Sequence, residues 1–416
     1  MNTLRPGACL LLALALAAVP SGNAVAQVGR GPEAVALIHA NVLDVRTGRI
    51  ARDQTVVLRG GKIESVSAAP AAADVRTVDL AGRTLVPGLV DAHTHIGNLA
   101  AAKRALESGV TTVRSSGVSL FVDVGLRELA KSGAIAGPDF LAAGYHVRDH
   151  LAEEAFYSDP SLADLMAGVK TIADIRRVVR MNLAHGVDWI KINATERAGT
   201  ADTDPRKQMW NEAEIRAIVE EAALAGVRVQ AHAHGAEGAL AAVKAGVASI
   251  EHGTYLTDEA LDIMKMKGIA FVPTYSTVID LAEPGGDYDQ PALILRGQAM
   301  LPRLGEVIVK AHKRGILIVT GADTSYGPNS VTRISHEVGN FVKFGMAPID
   351  AIRAATANAA VLLRLERSIG AIEPGLEADL IAVAENPLED VGTLQDPLLV
   401  VSNGRVVLDR LNFGKK

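Results

Sequence analysis

The stretch Leu85-Val86-Pro87-Gly88-Leu89-Val90-Asp91-Ala92-His93-Thr94-His95 decides how this chain is read. An apolar run closes on two histidines two positions apart. In an extended strand, residues i and i+2 point to the same side, so His93 and His95 can face one point where a buried strand ends. Imidazole nitrogen is a common ligand for borderline divalent metals. An isolated pair of this kind carries little weight, and its meaning depends on what the rest of the chain supplies.

Outward from this stretch, residues 86–365 alternate strand-like and helix-like segments. The strand candidates are 88–93, 111–114, 140–143, 189–192, 227–231, 249–251, 270–273 and 317–320. Between them lie Ala-, Glu- and Leu-rich stretches with helical spacing, such as 212–225 and 259–267. Eight βα units over about 280 residues predict a (β/α)₈ TIM barrel. An open doubly wound sheet would favour a Gly-rich dinucleotide turn after an early strand, and none is present. Both ends of the chain read differently. Short strands with tight turns occupy 34–85, with Gly60-Gly61 as a hairpin signal, and the style returns near the C-terminus around Asn403-Gly404. The α/β barrel of 86–365 is therefore expected beside a small discontinuous β-sandwich built from 27–85 and 366–416.

Further polar residues sit where the predicted strands end, the face that carries active sites in such barrels. Lys191 lies inside the apolar Trp189-Ile190-Lys191-Ile192, where a lysine is costly to bury unless paired or modified. His232 closes the strand 227–231, with His234 two residues on. His252 follows Ser249-Ile250-Glu251, and Asp323 follows Thr320-Gly321-Ala322. Singly, each has an ordinary reading: a snorkelling lysine, a core histidine, a helix-capping aspartate. Together they point to a metal site.

Composition narrows the rest. The 416 residues are 49% hydrophobic and 21% charged, an ordinary globular balance, and the net charge of −5 speaks against non-specific nucleic-acid binding. Residues 1–26 read as a cleavable signal peptide: Arg5, an apolar run over 8–19, then Ala24-Val25-Ala26 before Gln27. That run is too short for a permanent membrane span, so a periplasmic or secreted protein is expected. Cys9 is the only cysteine, and its removal with the leader would exclude thiolate ligands and disulfides.

The marker 86–95, the lysine on the fourth strand, the two later histidines, Gly321-Ala322-Asp323 and the stretch Gly370-Ala371-Ile372-Glu373-Pro374-Gly375-Leu376-Glu377-Ala378-Asp379-Leu380 resemble the amidohydrolase superfamily. The resemblance is to its imidazolonepropionase-like and Xaa-Pro/Xaa-Arg dipeptidase-like branch, and covers almost the whole chain after the leader. Residues 143–157 and 195–208 most resemble exported bacterial amidohydrolases that degrade ochratoxin A. It implies two divalent metal ions, with zinc favoured by the His/carboxylate set. His93, His95 and Asp323 would hold one and His232 and His252 the other. A carboxylated Lys191 would bridge both, as would a hydroxide that attacks an amide carbonyl, with Asp323 as proton shuttle. It also implies a homo-oligomer, octamers being among the family's assemblies. His234 stands where the dipeptidase branch often has a substrate-contacting tyrosine.

For the substrate side, the loop Gly144-Tyr145-His146-Val147-Arg148-Asp149-His150 offers His146 to a carbonyl oxygen and Arg148 to a carboxylate. Tyr255 and Tyr326, each three residues past a ligand candidate, are further contacts. Arg197, Arg206 and Lys207 read as solvated charge. Residues 274–291 read as a long loop, either a mobile lid or a subunit contact. The expected substrate is an N-acyl amino acid or dipeptide-like compound with a free carboxylate, ochratoxin A among them. Two other functions stay open: a mononuclear ring-opening hydrolase or deaminase of the imidazolonepropionase type, and a non-catalytic exported metal- or solute-binding protein.

Overall fold

The computed structural model describes residues 34–412; the expected leader and Cys9 lie outside the described residues. Five strands open the chain: β1 Val35–Asp44, β2 Arg49–Arg59, β3 Lys62–Ser67, β4 Arg76–Asp79 and β5 Thr84–Pro87. Seven follow in the middle: β6 Leu89–Thr94, β7 Val110–Ser115, β8 Asp139–Leu141, β9 Trp189–Asn193, β10 Arg228–Ala233, β11 Ser249–His252 and β12 Ala270–Val272. Three close it: β13 Leu380–Val383, β14 Leu399–Ser402 and β15 Arg405–Asp409.

The terminal strands form one eight-stranded sheet in the order β15-β14-β13-β5-β1-β2-β3, with β4 paired to β1. It is a single sheet folded over on itself, which makes the expected sandwich-like unit from both ends of the chain. Register breaks in β1/β2 and β2/β3 let it bend. Its two end hairpins then meet, Gly61 against Asn403 and Gly404. Only glycine permits this approach: a Cβ on Gly404 would lie 2.9 Å from the Gly61 Cα. Leu37, Val56, Leu58, Ile63, Leu380 and Val401 share the core this encloses. The sheet reaches Pro87, two residues past the boundary read from sequence, and the chain passes through Gly88 directly into β6.

The middle strands pair in parallel as β6-β7-β8 and β9-β10-β11-β12. Backbone hydrogen bonds join the two groups into a ring. On one side Trp189 N donates to Ala142 O (3.0 Å) and Val147 N to Lys191 O (2.8 Å). On the other, residues 317–324 run between β12 and β6: Val319 N donates to Phe271 O (2.9 Å), Ala92 N to Thr320 O (3.1 Å) and Asp323 N to His93 O (2.8 Å). This eighth segment makes only isolated bridges, Ile318 to Phe271 and Thr324 to Thr94, so it is not a regular strand. Gly321 is packed against His93 and Val272 with no room for a Cβ, and Asp323 has φ 48°, which ends any ladder there.

The helices follow their sequence signals. Ile172–Ala184 and Glu212–Leu224 each begin with a reciprocal capping box, Thr171/Asp174 and Asn211/Glu214. Each buries residues at helical spacing, such as Ile175, Val178, Val179 and Asn182. The second half of the chain departs from expectation at 274–291, where Tyr275–Ala282 is helical and only 283–290 is loop.

Candidate active site

The site is built at the strand ends from β6, β9, β10, β11 and the eighth segment. Along β9, Ile190 and Ile192 pack into the core shared with the outer helices, so Lys191 between them faces the barrel interior. It is 1% exposed, with Nζ 3.4 Å from His93 Nε2. The same alternation on β10 sends Val229, Ala231 and Ala233 outward and His232 and His234 inward. His252 and Asp323 reach the same space through left-handed backbone, φ 71° and 48°. Non-glycine residues adopt that conformation rarely, and where they do they cluster at functional sites.

The hydrogen bonds fix how each ring faces. A carboxylate or carbonyl oxygen only accepts, so His93 Nδ1 donates to Glu251 (2.8 Å) and His95 Nδ1 donates to Gly117 O (2.8 Å). Both Nε2 lone pairs then point to Asp323 Oδ1, at 3.4 and 3.2 Å. His232 is the reverse: its Nε2 donates to Glu196 O (3.1 Å), leaving Nδ1 for the cavity. His252 Nδ1 meets Thr274 Oγ1 at 2.7 Å and His234 Nδ1 meets Thr254 Oγ1 at 2.9 Å. Ligand atoms of His232, His234 and His252 lie within 4.8 Å of one another, as do those of His93, His252 and Asp323.

Electrostatics suits metal binding. Burial, followed by neighbouring cationic groups, holds His93, His232 and His252 well below the usual imidazole range. His234 falls to about 3, again chiefly through burial. These rings are neutral donors at pH 7. Burial pushes the Asp323 carboxyl up, but the neighbouring His93, His95 and Lys191 outweigh it and hold it below its ordinary range. Burial lowers the Lys191 ammonium to about 8. The donor set of neutral imidazoles and one carboxylate, with a lysine between the two groups, fits divalent metal ions.

Under the site lies a charged layer the sequence reading missed. Arg114 and Glu251 are both fully buried and paired at 2.9 Å. The guanidinium also donates to Ala92 O (2.7 Å) and Ser249 Oγ (3.0 Å) and stacks over Trp189. Glu251 thus holds His93 from below while Arg114 holds Glu251. The signal was a charge ending each of two apolar strands.

The substrate-side candidates separate. His146 lines the cavity, its Nδ1 2.8 Å from Asn193 Oδ1. Arg148 does not line it; with His95, His146 and Arg197 it lines an adjoining pocket of about 180 Å³. Arg197, read as solvated charge, borders both spaces. Neither guanidinium has an ion-paired carboxylate among the described residues. Tyr326 is no substrate contact: it is fully buried, and its hydroxyl donates to Asp91 (2.8 Å). Positive φ at Asp323 and again at Tyr326 (51°) turns the ring away from the cavity. Tyr255 is half-buried outside the cavity, near Arg206. Tyr288, from loop 283–290, roofs the site together with Thr277, Val278 and Leu281; the sequence marked its loop as a candidate lid but not this residue.

Comparisons with known proteins agree with this geometry. The amidohydrolase family model matches residues 84–407. The chain is 31% identical over 358 residues to ochratoxinase from Aspergillus niger, covering 76% of this chain and 73% of that one. Its fold is similar to that of a Xaa-Pro dipeptidase with methionine bound in the active site (TM-score 0.80, 28% identity, 90% and 99% of the chains). It is also similar to the A. niger ochratoxinase structure (TM-score 0.75, 26% identity, 91% and 96%). The matched span holds the whole histidine-lined cavity together with β5 and the C-terminal strands of the sheet, and the chain belongs to the amidohydrolase family, whose barrel it uses as a hydrolase of amide and peptide bonds.

Proposed function

We propose that the chain is a binuclear metal-dependent amidohydrolase that cleaves N-acyl amino acids or dipeptide-like amides bearing a free carboxylate, ochratoxin A among them. One observation carries the reading: His93, His95, His232, His252 and Asp323 line one cavity around a single buried lysine, whose Nζ lies 3.4 Å from His93 Nε2. His93, His95 and Asp323 would hold one ion and His232 and His252 the other, with zinc favoured by the donors. Such ions supply Lewis acidity to the scissile carbonyl and to the attacking water.

The protein's own groups do the rest. With its ammonium lowered to about 8, Lys191 offers a usable fraction of free amine. That amine would add to CO₂ with loss of one proton, and the resulting carbamate would supply an anionic oxygen ligand to the metal site. Ionised Asp323 takes a proton from the attacking water and returns it to the leaving nitrogen as the C–N bond breaks. His146, anchored by Asn193, reaches the carbonyl side. Arg148 and Arg197, which lack carboxylate partners, offer planar donors to the substrate carboxylate. Kinship with ochratoxinase supports ochratoxin A, in which an amide joins an aromatic acid to phenylalanine. Export by residues 1–26 and a homo-oligomeric state complete the reading.

The test is hydrolysis by residues 27–416, loaded with zinc and bicarbonate, of N-acyl-phenylalanine, Xaa-Phe and Xaa-Arg dipeptides, ochratoxin A and a lactone control. Chelator-sensitive release of a free amino acid, with two metals per chain, is the expected result. Lactone-only turnover, or a single metal with no amide cleavage, would overturn it.

A further inference from the structure

We propose that Tyr288 is a substrate-contacting residue whose hydroxyl donates a hydrogen bond at the reacting amide once the 283–290 segment closes over bound substrate. The inference rests on the amide-hydrolase reading above. It begins from the size of the site: the free space among the histidines, Asp323 and the roof is about 40 Å³. That is room for about three waters at 10–15 Å³ each, far less than an N-acyl amino acid needs. Tyr288 stands in the space such a substrate would fill. Its ring lies against Gly199, where a Cβ would come within 2.5 Å of its Cε1. Its hydroxyl has no hydrogen-bond partner among the described residues, although the ring is largely buried beside Asp323. A phenol hydroxyl without a partner is available as a hydrogen-bond donor.

The surroundings restrict where the displaced ring can go. Asp287 N donates to Asp280 (3.1 Å) and Ser330 Oγ donates to the Asp287 carboxylate (3.2 Å), tying down the residue before Tyr288. From the helix Pro291–Lys313, Arg296 donates to the carbonyls of Ala198, Thr200, Ala201 and Thr203. That clasp holds the Gly199 surface and the base of the loop as one unit. Gly285 and Gly286 precede the anchored part, and Gly285 has φ 85°. Substrate entry must displace the Tyr288 ring outward, and closure of the anchored segment then sets its hydroxyl against the edge of the bound amide. A donor restored by closure acts mainly on the reacting state.

The test compares Tyr288→Phe, which keeps the ring, with Gly199→Ala, which displaces it without altering its chemistry. Both are made in zinc-loaded enzyme with metal content and Tm checked against wild type. For the best amide substrate, kcat should fall about 10- to 100-fold in Tyr288→Phe with KM within about threefold. Gly199→Ala should lose kcat in the same direction. By calorimetry, a phosphonate analogue with a tetrahedral centre at the scissile carbon should lose at least tenfold in Kd in Tyr288→Phe, while the product amino acid loses less than threefold. Wild-type kcat in Tyr288→Phe, a loss confined to KM, or equal loss for analogue and product would each overturn the proposal. Wild-type enzyme inactive on every amide would instead remove the function it rests on.

Discussion

Replacing Glu251 with leucine tests the buried layer beneath the metal cavity. Its carboxylate is fully buried and accepts from Arg114 at 2.9 and 3.0 Å, from His93 Nδ1 at 2.8 Å, and from Ser249. Without it, the Arg114 charge keeps only Ala92 O, Ser249 Oγ and the face of Trp189. Removing one partner of a buried ion pair costs about 3–5 kcal/mol. At about 2.1 cal/mol/K per residue, a folded chain of about 380 residues has an unfolding entropy near 0.8 kcal/mol/K, so Tm should fall by roughly 4–6 °C. Arg114→Met should cost a similar amount by stranding the carboxylate. The double variant Arg114→Met/Glu251→Leu removes both charges and should recover about 2–4 kcal/mol of the summed loss. Metal affinity should behave differently. His93 loses the acceptor that fixes its tautomer, so affinity should drop about 10- to 100-fold in Glu251→Leu and stay low in the double variant. Denaturant melts of metal-free protein read the first quantity and chelator competition the second. Additive losses in the double variant would refute the pairing argument. Wild-type metal affinity in Glu251→Leu would refute the link to His93.

Other consequences can be measured separately. Lys191→Ala should lose metal and turnover together, whereas Asp323→Asn should keep most of its metal and lose kcat by at least about 10³-fold; an active Asp323→Asn enzyme would end the proton-shuttle assignment. Arg148→Ala and Arg197→Ala should each raise KM about tenfold for substrates with a free carboxylate and leave an amidated counterpart unchanged, as steady-state kinetics on the two would show. Glu337 caps the helix Tyr275–Ala282 by accepting from Tyr275 N and Ser276 N, and burial raises its carboxyl to about 7. Between about pH 4.5 and 7 the folded state therefore holds a proton that the unfolded chain has released. Its contribution is complete below about pH 4.5 and is lost as pH rises towards 7 and above, on the order of 3 kcal/mol. Glu337→Gln should flatten that part of the urea stability profile, and an unchanged slope would assign the pH dependence elsewhere.

What could be read without coordinates was local in origin. His93, His95, Lys191, His232, His252 and Asp323 each interrupt or close an apolar run, and burying a polar group is costly enough that such interruptions mark a site. Seven of the barrel's strand candidates coincide with regular strands for the same reason. The eighth does not, because Gly321 and the turn at Asp323 allow only single bridges on either side.

Spacing misled where the backbone reverses. Tyr326, three residues past Asp323, looked like a neighbour of the site, but two residues with positive φ aim it at Asp91. Arg148 read as the carboxylate contact and Arg197 as solvated charge, yet both are loop arginines, and only the packed loops show that Arg197 is the one bordering the cavity. Sequence by itself therefore determined the class of fold and the kinds of ligand, because alternation and apolar runs are properties of neighbours along the chain. The tertiary structure alone decided that Arg114 supports Glu251, that the sheet folds onto itself, and that Tyr288 covers the site. Those relations join residues far apart in the chain, and only the closure of the barrel brings them within hydrogen-bonding or van der Waals reach.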